Sequence, residues 1–159
     1  MHVKGNFMRR FILFFLVFQI LQNSESLLAV TKLNKEFYNF EYYFTKKNNK
    51  FFLNITISPK KGFKLNGDGY PPLKIELKDV RKDNDKIVEN INSKLIFNPK
   101  TVSCKGIKAG EKKEFKIEIK NLEEKFLIEV YLKVIPCDNS SCYISNDKIL
   151  IEYNNNLDN

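Results

Sequence analysis

Histidine and tryptophan are almost missing from this chain: its single histidine is His2, and it has no tryptophan. Since His2 falls in the N-terminal leader described below, the remaining chain contains no histidine. That absence excludes Ser-His and Cys-His nucleophile pairs, histidine general bases and histidine-containing zinc sites. Cysteine is left for covalent chemistry, and the three cysteines are Cys104, Cys137 and Cys142. We expect no cofactor and no metal.

The sequence also lacks a segment with sustained helical periodicity. Apolar and polar residues instead alternate along much of the chain, as is typical of half-buried β-strands. Seven segments are assigned as strands from alternation, aromatic content or short apolar runs: 37–44, 51–58, 74–78, 95–97, 114–120, 128–134 and 148–153. About seven short strands in a chain of this size predict an all-β fold, an immunoglobulin-like antiparallel β-sandwich.

No apolar run is long enough to span a bilayer as a helix, but a shorter one lies near the N-terminus. Lys4, Arg9 and Arg10 precede the apolar run 11–21, and a polar stretch ending in Ser26 follows it. These are the three regions of a secretion signal. The run has 11 residues, whereas a transmembrane helix needs about 20. We therefore predict a signal peptide over residues 1–26 and a periplasmic or secreted protein.

The rest of the chain has room for one domain. We expect the sandwich over residues 27–153 and a disordered Asn-rich tail over 154–159. The dense run of Asp, Lys and Asn within 78–94 predicts a surface loop. Removal of the leader would reduce the net charge from +8 to +6, because three basic residues and Glu25 leave with it. The basic residues form no block with interleaved aromatics, so we expect no nucleic-acid partner and no stable membrane span.

Two cysteines are closely spaced near the C-terminus. Cys137 and Cys142 are separated by the small polar residues 138–141, which allow the chain to fold back and bring the two sulfurs together. In an oxidising compartment a disulfide is the expected state. A disulfide that closes so small a ring stabilises a fold by only about 2 kcal/mol in the chain-entropy model. Both a structural clip and a pair that undergoes reversible thiol-disulfide exchange fit this spacing.

Three stretches together resemble the N-terminal periplasmic domain of the thiol:disulfide interchange protein DsbD family. The first is Ile57-Ser58-Pro59-Lys60-Lys61-Gly62-Phe63-Lys64-Leu65-Asn66, and the second is Tyr70-Pro71-Pro72-Leu73-Lys74-Ile75. The third is the late strand followed by Cys137-x4-Cys142-Tyr143 and a final strand. The resemblance covers most of residues 37–153.

The resemblance implies an immunoglobulin-like domain in which Cys137 and Cys142 are the redox pair. In that family the pair takes electrons from a membrane reductant conductor and passes them to periplasmic thiol proteins. Here the chain would be a stand-alone module, so its electron donor would be a separate protein. The family commonly has prolines after the second cysteine, whereas this chain has Tyr143-Ile144-Ser145. The rival interpretation is a non-catalytic binding sandwich with a structural disulfide.

Cys104 lies apart from that pair in the sequence. Lys100, Lys105 and Lys108 are its neighbours along the chain and could lower the pKa of its thiol. The simpler interpretation is a partly buried free thiol, or one that pairs between molecules. Asp138, next to Cys137, would raise the pKa of the Cys137 thiol if the two groups were close.

Overall fold

The computed structural model describes residues 26–27 and 29–154, and within them the regular structure consists of thirteen β-strands and no helix. The predicted signal peptide lies outside the described residues except for Ser26, and the tail lies outside them except for Asn154. The all-β prediction is confirmed, with more strands than the seven expected.

The strand bounds are as follows. In chain order they are β1 (Ser26–Leu27), β2 (Thr31–Asn34), β3 (Tyr38–Lys47), β4 (Lys50–Pro59), β5 (Lys64–Leu65), β6 (Leu73–Asp83), β7 (Lys86–Glu89), β8 (Ile96–Asn98), β9 (Thr101–Cys104), β10 (Lys113–Lys120), β11 (Lys125–Val134), β12 (Pro136–Cys137) and β13 (Ser145–Asn154). Each of the seven predicted segments coincides with one of these strands. The additional strands are mostly short.

Two antiparallel sheets form a sandwich. The first has the order β1-β3-β4-β10-β8, with β2 also on β3, and the second has the order β13-β11-β6-β7, with β9 also on β6. Strands β3, β4, β10 and β8 correspond to an A-B-E-D sheet, and β6, β11 and β13 correspond to a C-F-G sheet, with β7 as an extra strand beside C. This is the strand order of an immunoglobulin-like sandwich.

The segment 78–94 departs from the prediction of a surface loop. Strand β6 continues to Asp83 and pairs with β7 through Asp83↔Lys86, so the segment is largely a β-hairpin. The turn residues Asn84 and Asp85 both have positive φ, of 47° and 63°. Two such residues in succession form the tight turn that suits the twist of a hairpin. The charged composition of the segment concealed this turn in the sequence.

Alternation along the strands places the apolar residues in one core between the sheets. The fully buried side chains include Leu53, Ile55 and Ile57 from the first sheet and Ile75, Leu77, Ile128, Val130, Leu132 and Ile151 from the second. Each such side chain stabilises the fold by roughly 1.5–3 kcal/mol when it leaves water. The core therefore does not depend on a cross-link.

A partly buried polar contact joins the sheets. The Tyr38 hydroxyl, at the start of β3, donates a hydrogen bond of 2.5 Å to Oδ2 of Asp147 in β13. The Ser145 hydroxyl donates to the same oxygen over 3.0 Å. Burial, and secondarily the bond to Asp147, raise the pKa of Tyr38 far above its usual value, so this hydroxyl remains a donor. The contact ties β13 to β3 at the end of the sandwich that also carries the cysteine pair.

Candidate functional site

Cys137 and Cys142 form a disulfide across a short hairpin. Their Cα atoms are 4.0 Å apart, and the two residues face each other as an antiparallel bridge. The Asp138 N–H donates to the Ser141 carbonyl over 3.0 Å, and the Tyr143 N–H donates to the Pro136 carbonyl over 2.8 Å. The backbone therefore holds the two cysteines together through its own hydrogen bonds as well as through the sulfurs.

The Asp138 carboxylate stabilises the turn of this hairpin. Its Oδ1 accepts the N–H groups of Ser140 and Ser141, each over 2.7 Å. These two bonds, above all, lower the pKa of Asp138 below its usual range, so the carboxylate stays ionised in neutral solution. An aspartate that accepts backbone N–H groups two and three residues ahead is a common way to fix a tight turn.

The two sulfur-bearing residues differ sharply in exposure. Cys137 is only 1% exposed, whereas Cys142 is an exposed residue. The Sγ atom of Cys137 lies 3.8 Å from the carbonyl oxygen of Ile135, inside the fold. The disulfide therefore joins a buried residue to a surface residue, with Cys142 on the solvent side.

Asn66 anchors the segment that carries Cys137. Strand β12 pairs with β5 through Pro136↔Leu65 and Cys137↔Lys64. Asn66, the next residue, is 2% exposed, and both its backbone N–H and its side-chain Oδ1 bond to Ile135, over 2.8 and 3.0 Å. Its Nδ2 donates to the Pro71 carbonyl over 2.8 Å. One buried amide thus joins the 66–71 loop to the strand end just before the buried cysteine.

A close backbone approach supports the same segment from its other side. Leu65 and Ile107 exchange two hydrogen bonds of 2.9 Å each. Gly106 lies so near that a Cβ atom on it would sit 2.1 Å from the carbonyl oxygen of Asn66. A side chain cannot be placed there without moving the backbone, so glycine is required. The β5 segment is held between residues 106–107 and 135–137.

Aromatic side chains surround the exposed end of the hairpin. Tyr143, directly after Cys142, stacks on Phe37 with ring centroids 5.5 Å apart, and Phe63 meets Phe37 edge-on at 5.3 Å. Tyr143 is 43% exposed and Ile144 is 75% exposed. The residues next to the exposed cysteine therefore present apolar surface to solvent. Exposed apolar surface of this kind, here called the apolar rim of the site, is common where a protein partner docks.

Cys104 is a half-buried free thiol at the end of β9. Burial raises the pKa of this thiol, and it outweighs the opposing effects of the Lys113 charge and of a hydrogen bond with the Gly106 backbone. The expectation that Lys100, Lys105 and Lys108 lower the pKa is therefore wrong. The cation that does influence the thiol is Lys113, which lies on β10, the next strand along the chain. Cys104 is a protonated thiol rather than an activated nucleophile in neutral solution.

The described residues contain no group of three or more His, Cys, Asp or Glu that could hold a metal ion. The same part of the chain includes no helix that could serve as a membrane span. No family model, curated protein or solved structure matches the chain.

Sequence reasoning brought Cys137 and Cys142 together and missed the residues that position them. Asn66 stood in one of the stretches that resemble the family, without an assigned role. Phe37 falls in a predicted strand and Phe63 in a stretch that resembles the family, and neither position in the sequence indicates a contact with Tyr143. The one local signal for the apolar rim was Ile144, an aliphatic residue directly after the polar cysteine loop.

Proposed function

We propose that this protein is an exported thiol-disulfide exchange module that passes electrons to or from partner proteins through Cys137 and Cys142. The observation that carries the proposal is the unequal exposure of the two cysteines, with Cys142 open to solvent and Cys137 buried. Exchange proceeds by attack of a thiolate on one sulfur of a disulfide, so one sulfur must be accessible. The other sulfur must be able to leave and later return.

The exchange step follows from this geometry. A partner thiolate attacks Sγ of Cys142, a partner–Cys142 disulfide forms, and Cys137 leaves with the electron pair of the broken bond. A second partner thiolate then attacks the mixed disulfide at the partner's sulfur. The partner leaves as a disulfide. Cys137 and Cys142 are left as two thiolates, which become two thiols once they are protonated. In the reverse direction the Cys142 thiolate attacks a partner disulfide and Cys137 resolves it.

The hairpin is suited to both redox states. Its two backbone hydrogen bonds do not involve the sulfurs, nor do the bonds that the Asp138 carboxylate accepts from Ser140 and Ser141. The disulfide closes a ring worth only about 2 kcal/mol in the chain-entropy model, against a core of many fully buried apolar side chains. Reduction should therefore leave the fold intact. A relay needs this property, because its reduced form must also recognise partners.

The proposed partners are thiol or disulfide proteins of the periplasm or cell exterior, together with a separate membrane reductant conductor as electron donor. The resemblance to the DsbD N-terminal domain and the predicted signal peptide support this location. The formed disulfide is compatible with it. The rim of Phe37, Phe63, Tyr143 and Ile144 offers apolar surface on which such a partner could dock.

A second candidate is a binding sandwich with a structural disulfide, and the burial of Cys137 favours it. A sulfur packed at the edge of the core is typical of inert cross-links. The two candidates differ in what reduction does: a structural clip resists reductant until the domain unfolds, whereas an exchange pair is reduced in the folded protein.

The test uses two single-thiol variants, Cys137→Ser and Cys142→Ser, each combined with Cys104→Ser so that one thiol remains. Each is reacted with an aromatic disulfide reagent, and release of the reagent's thiol is followed. We expect the Cys142 thiol to react at least tenfold faster than the Cys137 thiol, since only the former is exposed.

Two results would contradict the proposal. One is equal or reversed rates in the two variants, which would remove the asymmetry. The other is an intact Cys137–Cys142 bond in the Cys104→Ser protein after dithiothreitol treatment that leaves the domain folded, as judged by circular dichroism. The latter would leave the binding sandwich as the function.

A further inference from the structure

Strand β13 ends the second sheet and is long for an edge strand. It has ten residues and pairs with β11 on one side. Among the described strands, the other sheet ends are formed by strands of two to four residues, namely β1, β2, β7, β8 and β9. Short edges are one of the means by which proteins avoid edge-to-edge pairing, and a long edge presents a row of backbone groups to another chain.

The outer face of β13 combines one exposed apolar residue with opposite charges on its two sides. Leu150 is 45% exposed, and Lys148 and Glu152 lie two residues before and after it on the same face. The intervening Ile149 and Ile151 point into the core and are buried. When the strand is reversed, the order Lys-apolar-Glu becomes Glu-apolar-Lys. Each charge then lies opposite a charge of the other sign.

That reversal is what a second copy in antiparallel pairing provides. In the register that sets Leu150 opposite Leu150, Lys148 of each copy faces Glu152 of the other. Opposite charges directly across an antiparallel pair stabilise it, and like charges destabilise it. The same register sets Ile149 opposite Ile151, so the apolar inner rows of both copies continue without a break. A shift by one residue would place inward residues opposite outward ones.

We propose that two copies of this chain associate through β13 in a two-fold symmetric, antiparallel strand pair centred on Leu150. The symmetry matches the self-complementary patch that a two-fold dimer requires. The pairing would join the second sheets of two sandwiches into one continuous sheet.

The outer face of the second sheet carries a shallow groove of about 590 Å³, which runs from β13 across β11 to β6 and β7. It lies on the side of β13 away from the free edge, so a strand paired to that edge would leave it open. Lys148 also has a partner within its own chain, since its Nζ lies 3.5 Å from Oε2 of Glu129. Glu129 lies on β11, on the side of β13 away from the free edge, so a second copy's Glu152 would share this ammonium with Glu129. One strand edge is a small interface, so the association should be reversible and concentration-dependent.

A cysteine placed at the symmetry axis tests the register. In the Cys104→Ser protein, the Leu150→Cys substitution would place the two copies of residue 150 opposite each other, at a distance that a disulfide can bridge. The matched control is Lys148→Cys, which would face residue 152, with the two copies of residue 148 separated by roughly 13 Å along the strands. We expect a covalent dimer through residue 150 on mild oxidation and little or none through residue 148, with peptide mapping to identify the bond.

Charge reversal tests the same contact without a cross-link. Glu152→Lys should shift sedimentation at high protein concentration from dimer toward monomer, and Glu152→Lys with Lys148→Glu should restore the dimer, because the pairs are then reversed in both positions. Circular dichroism of each variant verifies that it is folded. Equal cross-linking at 148 and 150 would overturn the proposal. A protein that remains monomeric at several hundred micromolar would overturn it as well.

Discussion

The two ends of the sandwich are stabilised in different ways. At the end where β3 turns into β4, the rings of Phe44, Phe51, Phe126 and Tyr153 pack on one another with centroids 4.8–6.0 Å apart. The three phenylalanines there are buried. At the cysteine end, Asn66, Asp138 and the Tyr38–Asp147 pair supply directed hydrogen bonds, and the aromatic rings lie partly in solvent.

This difference separates the residues that stabilise the fold from the residues that control the reactivity of the disulfide. Apolar packing is strong and carries no chemistry, so the far end can anchor the fold without restricting the cysteines. Hydrogen bonds are directional, and they fix the position of Cys137 and the cysteine turn while leaving Cys142 open. Changes at the far end should therefore alter the free energy of unfolding with little effect on exchange. Changes at the cysteine end should alter both.

The largest expected effect is at the far end. Phe126 stacks on Tyr153 with centroids 4.8 Å apart and meets Phe44 edge-on. Phe126→Ala should lower the free energy of unfolding by about 3–5 kcal/mol, because it removes a buried ring and leaves a cavity. Urea denaturation measures this loss. Phe126→Leu is the matched control and should lose less. The reduction rate of the disulfide in the folded protein should be unchanged, and a clear change would break the separation of the two ends.

At the cysteine end, Asn66→Ala should have the next largest effect. It leaves the buried Ile135 N–H without an acceptor and removes the hydrogen bond to the carbonyl of the exposed Pro71, at a cost of about 2–4 kcal/mol for the two losses together. Asn66→Asp keeps an acceptor for Ile135 and loses the donor to Pro71, so it separates the two contacts. Unlike Phe126→Ala, Asn66→Ala should also make Cys137 more accessible to alkylation after reduction. Protection of Cys137 equal to that in the parent protein would show that Asn66 does not hold this segment.

The tie between the sheets should have a smaller effect that depends on pH. Tyr38→Phe removes a hydrogen bond to a carboxylate and should cost about 2 kcal/mol near neutral pH. The folded protein keeps the pKa of Tyr38 raised above its usual value of 10.0. The unfolded chain therefore loses this proton first, and the stabilisation is present below pH 10 and declines as the pH rises further. Denaturation of both proteins at pH 7 and pH 11 should show the difference narrowing, and a constant difference would contradict this assignment.

The smallest expected effect is in the reactivity of Cys104. Because burial raises the pKa of its thiol, less thiolate is present at a given pH than in an unfolded chain. In the folded protein the alkylation rate of Cys104 by iodoacetamide should still be rising at pH 9, where an ordinary thiol is levelling off. Measurement of the rate against pH in the oxidised protein isolates Cys104. If the midpoint of the rate against pH lay below that of a free cysteine, the assignment would be contradicted. The alternative in which nearby lysines lower the pKa of the thiol would then be supported.

The main strands could be predicted because their signal is local. Period-2 alternation reflects burial of one strand face, and it identified the segments that became β4, β6, β10, β11 and β13; aromatic content and a short apolar run identified those that became β3 and β8. Strands such as β5 and β12 have two residues each and exist through pairing with one another across about seventy positions of sequence. No local pattern encodes such a pair.

The sequence was enough to predict which two sulfur atoms form the candidate site, but not which residues surround them. The spacing of Cys137 and Cys142 was enough to place them in one hairpin. The burial of Cys137 was not visible, because it follows from the contacts of β12 with β5 and of Asn66 with Ile135. Cys104 shows the same limit, since its sequence neighbours are lysines but the charge that influences it is Lys113 on another strand.

The reduction potential of the Cys137–Cys142 pair tests the central claim most directly. The Cys104→Ser protein is equilibrated in glutathione or dithiothreitol buffers, its thiols are trapped, and circular dichroism reports whether the fold persists. The exchange module predicts a potential clearly above about −300 mV, the range of labile disulfides, with the domain folded in both states. A potential below that value, or reduction only on unfolding, would contradict the claim and make the disulfide a structural clip.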